Sequence, residues 1–128
     1  IIFDETKPKL YGLDKVDLSS PTYIVEGPLD SLFIRNSIAM CGSDVHLGDW
    51  GISNRVWVYD NEPRNPQIVS KISSAISSGD KVVIWPKGID QKDINDMVLA
   101  GHKVQDLVES NVYQGLEAKL KLSQWKRV

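Results

Sequence analysis

The sequence predicts an α/β fold in which a mostly parallel four-stranded sheet is flanked by helices, with extra helices at the C-terminal end. Three observations carry that expectation. Short runs of β-branched and aromatic residues are nearly continuous rather than alternating, as in strands covered on both faces. The segments between them hold apolar residues at helical spacing between capping and stop signals. Their order (strand, helix, strand, strand, helix, strand, helix) suits a three-layer unit with right-handed crossovers.

The strands come first. Thr22 to Gly27, Asn54 to Glu62 and Asp80 to Gly88 each contain an apolar stretch that stops at polar, Gly or Pro residues, and Ser37 to Cys41 is a weaker fourth. Pro28 suits a first helical position, and Leu29, Leu32, Phe33 and Ile34 predict a broad apolar stripe that ends at Asn36. A second helix begins at the N-cap Asn65, with Pro66 behind it. Ile68, Val69, Ile72, Ala75 and Ile76 form its buried face, and Gly79 its left-handed stop. Asp93 caps a third helix with Ile94, Met97, Val98 and Leu99, ended by Gly101; Val104 to Ser110 and Leu116 to Trp125 read as further helices. Residues 1–20 are polar and turn-rich, a connector leading in from a region upstream. Residues 21–103 make the main domain and 104–128 a helical extension.

Composition narrows the functional classes. At 128 residues, 41% hydrophobic and 25% charged, the chain can build a core without disulfides or a structural metal. One cysteine, Cys41, excludes an intramolecular disulfide, a zinc ribbon and a CxxC pair, and its apolar setting predicts burial. No apolar run approaches the ~20 residues of a membrane span, and the start lacks the order of a secretory signal. The expectation is a cytoplasmic protein without a membrane partner, in the host cytoplasm if phage-encoded. The absence of an initiator methionine points to a piece of a longer chain. Lys and Arg total 15 against 17 Asp and Glu, so no basic surface grips nucleic acid unaided.

The acids matter by position. In an open parallel sheet, ligands bind beyond the carboxyl ends of the strands. Ile24-Val25 leads into Glu26-Gly27, and Val56 to Tyr59 leads into Asp60-Asn61-Glu62. If those strands are parallel neighbours, Glu26, Asp60 and Glu62 meet on one edge, with Asp30 approaching from the first helix. Carboxylates so close repel one another unless a cation neutralises them. Mg²⁺ is the natural candidate, with Mn²⁺ as a substitute, because it takes one or two carboxylates and bridges to phosphates, whereas no Cys/His set here favours zinc. Asp60 and Glu62, two apart on an extended backbone, are expected to point the same way. Gly27 leaves room for close approach beside Glu26.

These residues resemble a known family. Ile24-Val25-Glu26-Gly27-Pro28-Leu29-Asp30 is similar to the apolar-apolar-Glu-Gly-x-x-Asp signature of the Toprim domain, and Val58-Tyr59-Asp60-Asn61-Glu62 to its second, Asp-x-Asp, signature, with Glu in place of the last Asp. Toprim domains occur in DnaG-type primases, type IA and II topoisomerases, OLD-family nucleases and recombination proteins. Lys92-Asp93-Ile94-Asn95-Asp96, after Pro86-Lys87-Gly88, resembles an element of the primase branch. Leu10-Tyr11-Gly12-Leu13 resembles the segment before the Toprim strand in phage primases. Over about Leu10 to Gly101 the nearest likeness is the C-terminal catalytic part of tailed-phage primases of the T-even type.

The resemblance implies a Toprim-like sheet in which Glu26, Asp60 and Glu62 are catalytic and hold Mg²⁺ with Asp30. Asp93, Lys87, Lys92 and Gly27 would support the site or bind nucleotide. It implies synthesis of short RNA primers from ribonucleoside triphosphates on a single-stranded DNA template, in partnership with a replicative helicase. In the family a basic subdomain and a zinc module guide the template, so this stretch alone is expected to prime weakly or not at all. Two alternatives use the same residues: a metal-dependent Toprim nuclease, and a non-catalytic module that docks helicase or DNA.

Simpler duties compete for several positions. Asp30 suits the positive end of a helix, and Asp93 with Asp96 suits a cap. Asp44, His46 and Asp49 lie in a glycine-rich stretch that reads as a solvated loop. Lys119, Lys121, Trp125, Lys126 and Arg127 read as a solvated helix face with one packed tryptophan.

Overall fold

The computed structural model describes residues 10–11, 20–40 and 54–128. Its sheet contains β1 (Leu10–Tyr11), β2 (Thr22–Val25), β3 (Ser37–Met40), β4 (Arg55–Val58), β5 (Lys81–Val83) and β6 (Val112–Tyr113), in the spatial order β1-β3-β2-β4-β5-β6. The inner four are parallel, as the continuous apolar runs predict, and the two-residue edge strands are antiparallel. The expected four-stranded sheet is therefore widened by a strand at each edge. Leu10–Tyr11, expected to be connector, pairs with β3, and Val112–Tyr113 pairs with β5. Two-residue strands carry no periodicity of their own, which is why pattern reading passes over them.

Strand alternation divides the core into two layers. Val25, Ala39, Val56, Val58 and Val83 face α1 (Pro28–Ser31), α3 (Ile94–Leu99) and α4 (Val104–Ser110), where Met97 and Val108 are completely buried. Val82 and Ile84 face α2 (Pro66–Ser77) and α5 (Gly115–Trp125), meeting Ile68, Ile72, Ile76, Ala118 and Leu122. Residues 104–128 thus supply one edge strand and side chains to both layers. Among the described residues no helix is long and apolar enough to cross a membrane.

Helix α2 follows its sequence signals residue by residue. Asn65 Oδ1 accepts from the amides of Gln67 and Ile68, Pro66 opens the first turn, and the five expected residues are buried. Gly79 stands at φ +86°; its amide bonds to Ile76 O and the Asp80 amide to Ala75 O, both at 3.0 Å, the two bonds of a Schellman stop. Asn65→Ala is expected to cost about 1 kcal/mol, with Asn65→Asp recovering most of it. Urea unfolding should show the lowered midpoint at unchanged slope.

α1 departs from expectation. It spans four residues, and Leu29 and Leu32 are each 63% exposed, so the predicted apolar stripe is not a buried face. After Ser31 the chain tightens: the amides of Leu32 and Phe33 bond three residues back to Leu29 O and Asp30 O, and Asn36 turns it into β3 at φ +53°. Only Ile34 reaches full burial in that stretch. Cys41, Asp44, His46 and Asp49 lie outside the described residues.

Candidate active site

The strand order determines where a site belongs. From β2 the chain crosses to β3 on one side, and from β4 it crosses to β5 on the other. β2 and β4 are parallel neighbours, in the register Ile24↔Trp57 and Val25↔Val58. The crevice beyond their carboxyl ends is the topological switch point, where open α/β sheets bind ligands. Glu26 follows β2 there, and Asp60 stands two residues past β4.

Those two acids meet. The Asp60 side chain acts directly on the Glu26 carboxyl, and two neighbouring carboxyls of this kind share a proton more readily than they hold two charges. Burial first, then the charges of Glu26, Asp30, Asp93 and Glu62, push the Asp60 carboxyl up to about 7. Glu26 is also raised, chiefly by burial, although Lys71 on α2 offsets part of this. Asp30 is raised by burial and by the nearby charges of Asp93 and Asp96. The crevice thus gathers several acids whose charges raise one another's pKa, relieved in part by Lys71 and by the backbone amides on Asp30.

Each acid has its own support. Asp30 Oδ1 accepts from the Asn95 amide at 3.3 Å, joining α1 to the first turn of α3. Asp93 caps that helix, its Oδ1 taking the Asp96 amide at 2.8 Å, so the structural duty read for it is present while its charge still reaches Asp60. Gly27 has an extended φ of −118°, which any residue adopts; a Cβ there would lie 3.5 Å from Asp30 Oδ2, so its bareness leaves space beside that carboxylate.

The expected pairing of Asp60 and Glu62 on one side of an extended strand is corrected. β4 ends at Val58, and the Glu62 amide bonds back to Asp60 O at 2.9 Å, closing a three-residue turn that ends the alternation. Glu62 Oε2 instead accepts from Asn65 Nδ2 at 3.5 Å. The four carboxylates Glu26, Asp60, Glu62 and Asp30 do not close into one cage: among the described residues no three such side chains form a ready metal site. The carboxyls that act most directly on each other are the pair Glu26 and Asp60. For a hard cation that keeps several waters, one or two carboxylates suffice.

Lys87 and Lys92 are both exposed on the connection after β5. Lys92 acts through its backbone, its carbonyl accepting the Asn61 amide at 2.6 Å. Asn61, read as a spacer between two acids, is the residue that sequence reasoning missed. Its Nδ2 donates to Ile89 O at 2.9 Å and Gln91 O at 3.1 Å, and its Oδ1 accepts from Trp125 Nε1 at 3.0 Å. The tip of β4 is thereby tied to the β5–α3 connection and to α5. No sequence signal marks a partner 64 residues away. Lys71 was also missed, since an exposed lysine on an amphipathic helix reads as solvated.

The fold and crevice define an open α/β domain with an acidic centre at the switch point between two parallel strands. No protein-family model matches the chain. The chain is 36% identical over 126 residues to the DNA primase of Enterobacteria phage T4, a degree of identity that relates it to a primase. The match takes in 94% of this chain and 36% of that protein, so the chain spans about a third of its relative's length.

Proposed function

We propose that this chain is the Toprim catalytic part of a DNA primase, joining ribonucleotides into short RNA primers on single-stranded DNA with Mg²⁺ bound at the acidic crevice. The observation that carries this reading is the parallel pairing of β2 and β4, which brings Glu26 and Asp60 to adjacent strand tips where each acts on the other's ionisation. The relationship to a phage primase along nearly the whole chain supports it. Glu26 and Asp60 would hold the cation, with Glu62 and Asp30 adding charge around it. Bound there, Mg²⁺ supplies a lowered pKa for the attacking 3′-hydroxyl and neutralises charge on the phosphates.

The protein's own part is position and field. Asp30 and Asp93 fix α1 and α3 against the crevice, and Asn61 holds the β4 tip in register with the loop that bears Lys87 and Lys92. Single-stranded DNA, ribonucleoside triphosphates and a replicative helicase are the partners of this reading.

The test is to incubate the natural protein that carries this chain with template, Mg²⁺ and labelled ribonucleotides. Labelled RNA of short length is expected. Shortening of the DNA without labelled RNA would assign the same acids to a nuclease. A docking module would give neither product, and Mg²⁺ or Mn²⁺ would not raise the melting temperature of the chain.

A further inference from the structure

We propose that Trp125, on the C-terminal helix, is a positioning residue for Asp60: through Asn61 its indole N–H sets where that carboxylate stands to receive the cation. The inference rests on the metal-dependent reading of the crevice and extends it to a residue 65 positions away in the chain.

The need for such a support follows from where the sheet stops. β4 ends at Val58 and α2 begins at Pro66, so Asp60 lies in a stretch that neither a strand ladder nor a helix holds. A metal-binding side chain works only when kept within about 0.5 Å of its productive position, which on irregular chain falls to the groups behind it. Here those groups grip alternate residues. Trp85 donates its indole N–H to Tyr59 O at 2.8 Å, Trp125 donates to Asn61 Oδ1 at 3.0 Å, and the Arg127 amide donates to Pro63 O at 2.7 Å. Residues 59, 61 and 63 are anchored, and the acids Asp60 and Glu62 stand between the anchors.

The donor suits the task. An indole carries one N–H on a rigid plane, so packing of the ring fixes the direction of the bond. Trp125 packs against both core layers, which pins the ring from two sides. Asn61 passes the constraint on, because its Nδ2 donates to Ile89 O and Gln91 O and its amide to Lys92 O. A third indole supplies a contrast. Trp57 donates to Asp80 Oδ2 at 2.9 Å, and Asp80 precedes β5, at the end of the parallel sheet opposite the crevice.

The experiment compares Trp125→Phe with Trp57→Phe in the natural protein that carries this chain. Each keeps an aromatic ring and removes one N–H, and Phe at 57 can still stack on Tyr59. Mn²⁺ affinity, read from the paramagnetic resonance of the free ion, is expected to fall about tenfold or more in Trp125→Phe, the scale for groups that orient a metal ligand. Trp57→Phe should leave it unchanged. Priming by Trp125→Phe should need correspondingly more Mg²⁺ for half its maximal rate, while the rate at saturating Mg²⁺ stays within about threefold of the wild type. In EDTA, amide exchange across residues 59–63 should quicken in Trp125→Phe alone. Asn61→Ala should weaken Mn²⁺ too, and adding Trp125→Phe to it should cost nothing further, because the indole acts through Asn61. Should Phe at 125 unfold the chain, benzothienylalanine there keeps the shape of the ring without the N–H and gives the same readings. The inference is overturned if Trp125→Phe lowers the melting temperature but binds Mn²⁺ like the wild type. It is also overturned if Trp57→Phe weakens Mn²⁺ equally, or if the loss from Trp125→Phe persists in the Asn61→Ala background. Should Asp60→Asn itself leave Mn²⁺ affinity and priming intact, the metal reading falls and this inference with it. If Asp60→Asn loses both and Trp125→Phe neither, this inference alone falls.

Discussion

On the proposed function, Asp60→Asn and Glu26→Gln are each expected to cut primer synthesis by the natural protein that carries this chain by about 10²–10³-fold or more, the scale on which losing one preorganised charge-stabilising group acts. Both substitutions keep the size of the side chain and its capacity to hydrogen-bond, so the two strand tips remain in contact and the fold is retained. Primer yield from a single-stranded template at saturating Mg²⁺ is the measurement, with unfolding monitored alongside. Glu62→Gln should fall less, about 10–100-fold, because Glu62 is turned toward Asn65 and acts on the pair through its charge. If Glu62→Gln matched Asp60→Asn, Glu62 would be a direct ligand. If neither Asp60→Asn nor Glu26→Gln reduced priming, the acids would have no part in the chemistry.

Without divalent cation, the same pair should make the chain less stable as pH rises. Asp60 has a folded pKa of about 7 against an ordinary 3.8. Below 3.8 the group is neutral in both folded and unfolded states and contributes nothing. Between the two values the unfolded chain loses the proton and the folded chain keeps it, so stability falls with rising pH; above about 7 the loss is complete and flat. After allowance for solvent screening of a half-buried group, the penalty is on the order of 2 kcal/mol.

Asp60→Asn removes the titration. In EDTA the variant should gain on the wild type between about pH 4 and pH 7 and hold a constant advantage above that. Saturating Mg²⁺ should reverse the order at pH 8 by stabilising only the wild type. The groups that face Asp60 are Glu26, Asp30, Glu62 and Asp93, with Lys71 acting on Glu26 from α2. A difference between the two proteins that did not vary with pH would contradict this account.

Much of this molecule is legible from local pattern. α2 and α3 begin at Asn65 and Asp93 and stop at Gly79 and Gly101, because caps and left-handed stops are written into neighbouring residues. The parallel sheet is legible because runs such as Val82 to Trp85 are apolar without alternation, which only a strand covered on both faces tolerates. α1 is the counter-example. Leu29 and Leu32 satisfy a helical pattern, yet the chain must turn at Asn36 to enter β3, and that closure leaves both leucines exposed.

The acids themselves are visible in the sequence by type and by their position after apolar runs. Their conversion into a site is not. Sequence alone determined which apolar runs become the inner strands and which acids follow them, because burial of a run is a local property, whereas β4 ends at Val58, short of the expected extended stretch through Glu62. Only the tertiary structure decided that β2 and β4 are neighbours and that Glu26 and Asp60 come close enough to act on each other's ionisation. It also decided that Glu62 takes a hydrogen bond from Asn65 and that Asn61 reaches Trp125. Contacts between residues far apart in the chain depend on how the strands are ordered across the sheet, and that order is set by the packing of the whole core.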